Sequence, residues 1–250
     1  MHIIKRDFFL DINADLGEQT GNDAEIMPYI SSCNIACGGH AGDVESIRFT
    51  VDLALTHRVK IGAHPAYPDR ENFGRKHLDI SKKQLSESLL WQIYQLQSYL
   101  SELEIPLHHI KFHGALYNEA AVDTNLAFLI VDLLKHHFPT TLIYAPFGSR
   151  LAILGAAEGI PVNYEVFADR RYQDGLTLVP RSSPKACIED WEEIKEQVED
   201  MLYRQRVKTV NNNYIPVQAD TICVHGDHPK AIQTARKLHQ LLCYPDTTAL

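Results

Sequence analysis

The sequence predicts an α/β fold, a single domain in which seven mostly parallel strands and their helices close, or nearly close, into a β/α barrel. Three observations carry this expectation. Seven short, β-rich apolar runs alternate with longer segments of helical period. No run of hairpins interrupts the alternation, so successive strands lie parallel with right-handed crossovers. Seven strands in 250 residues also suit a closed sheet better than a small open one. Linkers, low-complexity tracts and internal repeats are missing, so residues 1–250 read as one domain.

In chain order, the first strand is expected over Phe8–Asn13. Asp11, Asn13 and Asp15 follow a period of two, which puts them on one face, and in a barrel that face points inward. Inward polar groups are costly unless hydrogen-bonded or turned toward a cleft. The D-x-N-x-D pattern lacks the sixth-position Gly and twelfth-position Glu of an EF-hand, so calcium is not indicated. The second strand, Ser32–Ala36, leads into CGGHAGD with His40 and Asp43. Asp43 is placed to cap a helix carrying Val44, Ile47, Val51 and Leu55 on one stripe. The third, Lys60–Ala63, runs into GAHPAYPDRENFGR with His64, Asp69, Arg70 and Arg75. Ser81 and Gln84 have capping-box spacing and open a helix with Leu85, Leu89, Ile93, Leu96, Leu100 and Leu103 in 3.6-residue period.

The fourth strand, His109–Phe112, gives KFHGALYNE with Lys111, His113, Tyr117 and Asn118, and a helix through Leu126, Leu129, Ile130, Leu133 and Leu134 comes next. The fifth, Thr141–Tyr144, ends in APFG before a helix over Leu151–Ala157. The sixth, Val162–Glu165, opens EVFADRRY with Glu165, Asp169, Arg170 and Tyr172, and LVPR adds Arg181. Ile188, Trp191, Ile194, Val198 and Leu202 mark another helix. Asn211–Asn213 reads as a loop tip or short hairpin near Tyr214–Val217. The seventh strand, Thr221–Val224, delivers VHGDHP with His225, Asp227 and His228. Ala231, Ile232, Ala235, Leu238 and Leu241 then form the last stripe.

Six of the seven strands thus end in His or carboxylate beside Gly or Pro, and in a parallel barrel those ends meet at one rim. A lone His after a strand is more often a turn residue than a catalyst. It is the repetition of His40, His64, His113 and His225 at equivalent places that marks a site. His2, His57, His77, His108, His109, His136, His137 and His239 lack that placement and read as surface or helix residues. The acidic stretch Glu189–Asp200 reads as a solvated helix face, and Trp91, Tyr94 and Tyr99 as helix packing.

Twenty-four Lys+Arg against 32 Asp+Glu, a formal charge of −8, leave no basic excess to release counterions from nucleic acid or an anionic membrane. No apolar run approaches the roughly 20 residues of a membrane span. The N-terminus reaches Asp7 and Asp11 before a signal-like stretch develops. Five scattered cysteines (33, 37, 187, 223, 243), with CNIAC rather than CxxC as the closest pair, read as core thiols of a reducing compartment. A soluble, cytoplasmic protein is expected.

The sequence contains no phosphate loop, no G-x-G-x-x-G after a strand, no G-x-S-x-G elbow and no H-E-x-x-H. Carboxylate, imidazole and arginine without an obvious Ser or Cys nucleophile suit general acid–base chemistry on an anionic substrate, or metal-assisted hydrolysis. An Asp with two His from separate strands, for instance Asp15, His40 and His64, could bind a divalent metal. Dispersed single ligands nevertheless lack the spacing that makes a zinc site legible.

Six motifs in order, DINADLGE, SSCNIACGGHAGD, IGAHPAYPDRENFGR, KFHGALYN, EVFADRRYQDGLTLVPR and VHGDHPKA, strongly resemble the LamB/YcsF family of 5-oxoprolinase A subunits, from about Asp11 to Leu241. Departures are small: the second Gly of CGGHAGD is often Phe in the family, KFHG is commonly KPHG, and His228 stands where Gly is usual. None removes an ionisable motif residue. The resemblance implies a seven-stranded, irregular TIM-like β/α barrel of the glycoside hydrolase/deacetylase type. It also implies ATP-dependent opening of 5-oxo-L-proline (pyroglutamate) to L-glutamate together with 5-oxoprolinase subunits B and C. ATP would be the co-substrate, with Mg as its divalent metal, and the missing phosphate loop fits a subunit that does not manage the ATP step alone.

On that expectation Asp15, His64 and His113 are the catalytic candidates. Asp15 would orient or deprotonate water, and His113 or His64 would protonate the departing ring nitrogen. Arg170, Arg181 or Lys111 would hold the substrate carboxylate or a phosphoryl group, arginine being best suited to bidentate anion binding. Asn13, His40, Glu165 and His225 complete the substrate-binding candidates. Two rival expectations stand beside this one. A metal-dependent carbohydrate or small-molecule deacetylase would carry stoichiometric metal and lose activity on chelation. A non-catalytic subunit would bind 5-oxoproline while its partners did the chemistry.

Overall fold

Along each barrel strand one set of side chains is apolar and the other largely polar, and the alternation sends the two sets to opposite faces of one closed sheet. The computed structural model describes residues 10–175, 177–181, 183–226 and 230–243. Its strands are β1 (Asp11–Leu16), β2 (Ser32–Ala36), β3 (Lys60–His64), β4 (His109–Lys111), β5 (Leu142–Pro146), β6 (Val162–Phe167), β7 (Arg206–Lys208), β8 (Tyr214–Pro216) and β9 (Thr221–His225). Seven of them close into a parallel barrel in the order β1-β2-β3-β4-β5-β6-β9, while β7 and β8 form the antiparallel hairpin expected around Asn211–Asn213. The helices are α1 (Asp23–Ile26), α2 (Val44–His57), α3 (Lys82–Glu102), α4 (Gly114–Val122), α5 (Thr124–His137), α6 (Arg150–Ala157), α7 (Trp191–Tyr203) and α8 (Ala231–Cys243).

All seven expected barrel strands are present, β2 with the expected bounds and the other six with shifted ends. β1 runs past Asn13 to Leu16, because Ala14 and Leu16 continue the apolar outer row and pair with Cys33 and Ile35 of β2. Phe8 and Phe9 lie outside the described residues, as do His2, Asp227 and His228. Helix α4 is not expected from the sequence. Its apolar residues are spread around the helix rather than gathered in a stripe, so periodicity does not reveal it.

The outer row of the barrel (Ile12, Ile35, Ile61, Ile110, Ile143, Val166 and Ile222 among it) is buried beneath the helices. Helix α3 starts with the Ser81–Gln84 capping box and buries Leu85, Leu89, Ile93, Leu96 and Leu100 on one face. Each such side chain stabilises the fold by roughly 1.5–3 kcal/mol. Cys33, Cys37 and Cys223 are buried as free thiols and Cys187 is half-buried; burial pushes the Cys37 thiol up to about 12, which keeps it unreactive. No helix among the described residues is long and apolar enough to cross a membrane.

Candidate active site

The barrel interior is polar, and strand register stacks its side chains in tiers from floor to mouth. The floor is Asp11, whose carboxylate accepts hydrogen bonds from Ser31, Ser32, Thr221 and Tyr144 hydroxyls. Four donors satisfy a carboxylate that would otherwise be costly to bury. One period higher on β1, the Asn13 amide donates to Glu165 Oε1 at 2.9 Å and Thr221 Oγ1 at 2.8 Å. The Asn34 amide donates to both Asn13 Oδ1 and Asp15 Oδ1 at 2.8 Å, and its own Oδ1 accepts from His109 Nε2 at 2.7 Å. The His109 ring stacks on Tyr144 and occupies the space where a Cβ on Gly62 would stand, its Nε2 only 2.2 Å from that point. Burial pushes the His109 ring well below its usual range, so it is neutral.

Lys111 crosses the barrel above this tier. Its ammonium is 2.9 Å from Asp15 Oδ1 and 2.9 Å from Glu165 Oε1, and 3.1 Å from Cys223 Sγ. Burial alone would lower its pKa, but the Asp15 and Glu165 carboxylates outweigh burial and raise it well above the usual lysine range. Burial likewise works against the Asp15 anion, yet His64, Lys111 and His225 hold its carboxyl well below the usual value. Asp15 is therefore a fixed anion. Tyr117, from α4, donates its hydroxyl to Glu165 Oε2 at 2.7 Å.

At the mouth stand Glu18, His40, His64, His113, His225 and Asp169. Asp169 Oδ1 accepts from His225 Nδ1 at 2.8 Å and its Oδ2 from the His225 backbone N–H at 3.2 Å. Burial would raise the Asp169 carboxyl, but these contacts and the charge of Arg181 hold it below its usual range. His64 Nδ1 is 2.8 Å from the Lys111 carbonyl, and His113 Nε2 is 3.0 Å from that of Phe73. The Phe73 carbonyl is placed by a close approach of two glycines. Gly74 and Gly114 both have positive φ, and a Cβ on Gly114 would lie 2.4 Å from Gly74 O. Asp15, Glu18, His113 and His225 keep 6–8% exposure while His64 has none, so solvent meets the cluster from their side.

Two groups among the described residues could hold a metal ion: Glu18, His40, His64 and His113, and separately Asp15, Cys223 and His225. The trio Asp15, His40 and His64 expected from the sequence is thus divided between the two. Asp15 Oδ2 nevertheless lies 3.4 Å from His64 Nε2.

The LamB/YcsF family model matches residues 10–248. The chain belongs to the LamB/YcsF family. Two relatives named as the A subunit of 5-oxoprolinase, from Neisseria meningitidis serogroup C (strain 053442) and Pyrococcus abyssi (strain GE5 / Orsay), are 43% and 40% identical to it. The alignments cover 93% of this chain in both cases, and 95% and 93% of theirs. A crystal structure of the lactam utilization protein from Thermus thermophilus is similar at a TM-score of 0.85 and 36% identity, covering 93% of this chain and 95% of that one.

In this LamB/YcsF barrel, Asn13, Asp15, His40, His64, Lys111, His113, Glu165 and His225 share the interior or its mouth. Arg170 is differently engaged. Its guanidinium donates to the Val179 and Ala186 carbonyls, bracing the loop after β6. Arg181 is half-buried and near enough to stabilise the Asp169 charge. Glu18, Asp169, Asn34 and His109 are among the residues outside the expected set that belong to the network. Glu18 and Asp169 come after strands β1 and β6, in motifs rich in carboxylate. Asn34 lies one period from Ser32 on the inward row of β2, and that spacing is its signal in the sequence. His109 corrects the expectation of a surface or helix residue: it is fully buried at the start of β4, inward like Lys111 two residues on. Strand ends alone do not reveal a residue that opens its strand.

Proposed function

We propose that this LamB/YcsF protein is the A subunit of a 5-oxoprolinase, opening 5-oxo-L-proline to L-glutamate with ATP as co-substrate and with subunits B and C as partners. The observation that carries this reading is that residues from all six sequence motifs meet in and around one barrel mouth. Relatives of similar length that carry the A-subunit name support it.

The substrate ring is an unstrained lactam with a poorly electrophilic carbonyl carbon. Transfer of the ATP γ-phosphoryl group to the amide oxygen activates that carbon, a step assigned to the partners because this chain has no phosphate loop. One water then adds to the carbon and the ring C–N bond breaks, leaving an acyl phosphate. A second water releases phosphate and completes L-glutamate.

His225 is the residue best placed to move the proton. Its Nδ1–H is held by Asp169, which leaves Nε2 to take a proton from water and pass it to the departing nitrogen, while Asp169 stabilises the imidazolium between the two transfers. This assignment replaces His113 and His64 in that role. Their Nε2 and Nδ1 hydrogens, respectively, are tied to backbone carbonyls, and burial beside His40 and His64 keeps the His113 ring well below its usual pKa. Asp15, too acidic to be an efficient base, orients the water. Arg181 is assigned to the substrate carboxylate, because its charge reaches Asp169 at the barrel mouth, while Lys111 lies deeper between Asp15 and Glu165.

The test is reconstitution of the three subunits with glutamate and ADP release as readouts. His225→Ala and Asp15→Asn should each lower kcat by about 10²–10⁴-fold with unchanged folding. Near-wild-type turnover in either variant refutes that residue's role, and a wild-type complex without 5-oxoproline turnover refutes the reading as a whole. Calorimetric titration with 5-oxoproline separates variants that bind without turning over.

A further inference from the structure

Hydrogen accounting at the mouth leaves a gap that side-chain chemistry alone does not fill. A backbone carbonyl only accepts, so His64 Nδ1 carries the hydrogen directed at Lys111 O, and His113 Nε2 carries the one directed at Phe73 O. In neutral rings His64 Nε2 and His113 Nδ1 are then both bare lone pairs, and these two atoms face each other at 2.9 Å. Such a pair repels unless a proton or a metal cation lies between them, and the Asp15 carboxylate, 3.4 Å from the same His64 nitrogen, adds a further negative group beside the gap. A third electron-pair donor, Glu18 Oε1, lies 3.3 Å from His113 Nδ1 and 3.9 Å from His64 Nε2. His40 Nε2 is 2.9 Å from the same oxygen, and its other ring nitrogen is buried with no hydrogen-bond partner among the described residues.

We infer that Glu18, His40, His64 and His113 form a site for one divalent transition-metal ion of the zinc class. Their four ligand atoms lie within 4.8 Å of one another. Tetrahedral zinc with bonds of about 2.0–2.1 Å sets neighbouring ligand atoms about 3.3 Å apart. The separations among His64 Nε2, His113 Nδ1 and Glu18 Oε1, 2.9, 3.3 and 3.9 Å, bracket that spacing. The outer support is also in place: His64 and His113 each give their second N–H to a backbone carbonyl, the arrangement that fixes tautomer and orientation in metal-bound imidazoles. Two imidazoles and a carboxylate at one face, with a third imidazole stacked at 3.7 Å on His113, suit a borderline-soft ion better than magnesium or calcium, which take oxygen ligands. The inference does not depend on the lactam reaction, and its readout is binding.

The full-length chain, stripped with a chelator, is titrated with Zn²⁺ against a chromophoric competitor, and with Co²⁺ while its d–d absorption is followed. One equivalent of Zn²⁺ is expected, with a tetrahedral-type Co²⁺ spectrum. Loss of an outer partner typically weakens a metal site about 10–100-fold, so removing a ligand by Glu18→Gln or His113→Asn should weaken it by at least about 100-fold. His77→Ala, at an exposed position, should change nothing. If His113→Asn does not fold, the isosteric Glu18→Gln carries the test. Zn²⁺ binding weaker than millimolar, or unaffected by Glu18→Gln, overturns the inference. So does affinity lost through Cys223→Ser instead, which would move the ion to the Asp15 group. An ¹⁵N spectrum of metal-exposed protein with one proton shared between His64 and His113 would overturn it as well.

Discussion

Replacing Lys111 by Met removes the single ammonium that lies between two buried carboxylates. Its Nζ is 2.9 Å from both Asp15 Oδ1 and Glu165 Oε1, and the side chain is 2% exposed, so solvent cannot take over the role. Breaking a buried pair by deleting one partner typically costs about 3–5 kcal/mol, because the remaining charge is stranded. Here two anions are stranded, with Asn13, Asn34 and Tyr117 as their remaining donors. For a domain of this size each kcal/mol corresponds to about 2–4 °C, so Tm should fall by about 6–20 °C. Adding Glu165→Gln removes one stranded charge and should recover part of the loss, with a coupling energy of about 0.5–3 kcal/mol in the double-mutant cycle. Calorimetry or circular dichroism on the four proteins measures this directly. If Lys111→Met costs under about 1 kcal/mol, or the cycle shows no coupling, then the ammonium does not hold the barrel interior together.

Gly62→Ala would place a methyl 2.2 Å from His109 Nε2, so the ring must leave Asn34 and Tyr144. A loss of about 1–3 kcal/mol is expected, read by denaturant unfolding. Leu89→Ala, on the fully buried stripe of α3, should cost about 2–5 kcal/mol with the fold retained. Asp169 is held below its unfolded pKa, so its contribution to stability is complete above the unfolded value of about 3.9 and is lost as pH falls through the folded one. Asp169→Asn should therefore show a flatter decline of Tm below about pH 4 than the wild type. An identical acid limb in both proteins would contradict the His225–Asp169 contact.

Much of the barrel is written in local patterns. Alternation along Asp11–Leu16 separates Asp11, Asn13 and Asp15 from Ile12, Ala14 and Leu16, and that separation survives as interior against helix-facing wall. The Ser81–Gln84 box and the leucine stripe behind it fix where α3 starts and which side it buries. Helix α4 left no such trace, because an apolar surface without a preferred side has no period to detect.

Strand ends rich in His and carboxylate mark the mouth from sequence alone, since every parallel strand of a barrel delivers its C-terminal end to the same rim. Partner choice within the mouth is a matter of register and loop path. Nothing local to His225 says that Asp169, 56 residues earlier, holds its Nδ1, or that Arg170 turns instead to the carbonyls of Val179 and Ala186. The opposition of His64 Nε2 and His113 Nδ1 likewise exists only once β3 and β4 lie side by side and the Gly74–Gly114 approach fixes the Phe73 carbonyl. Sequence period determines which face of its own strand a side chain occupies. Which atom it meets across the barrel depends on how the strands are staggered, and only the closed sheet decides that.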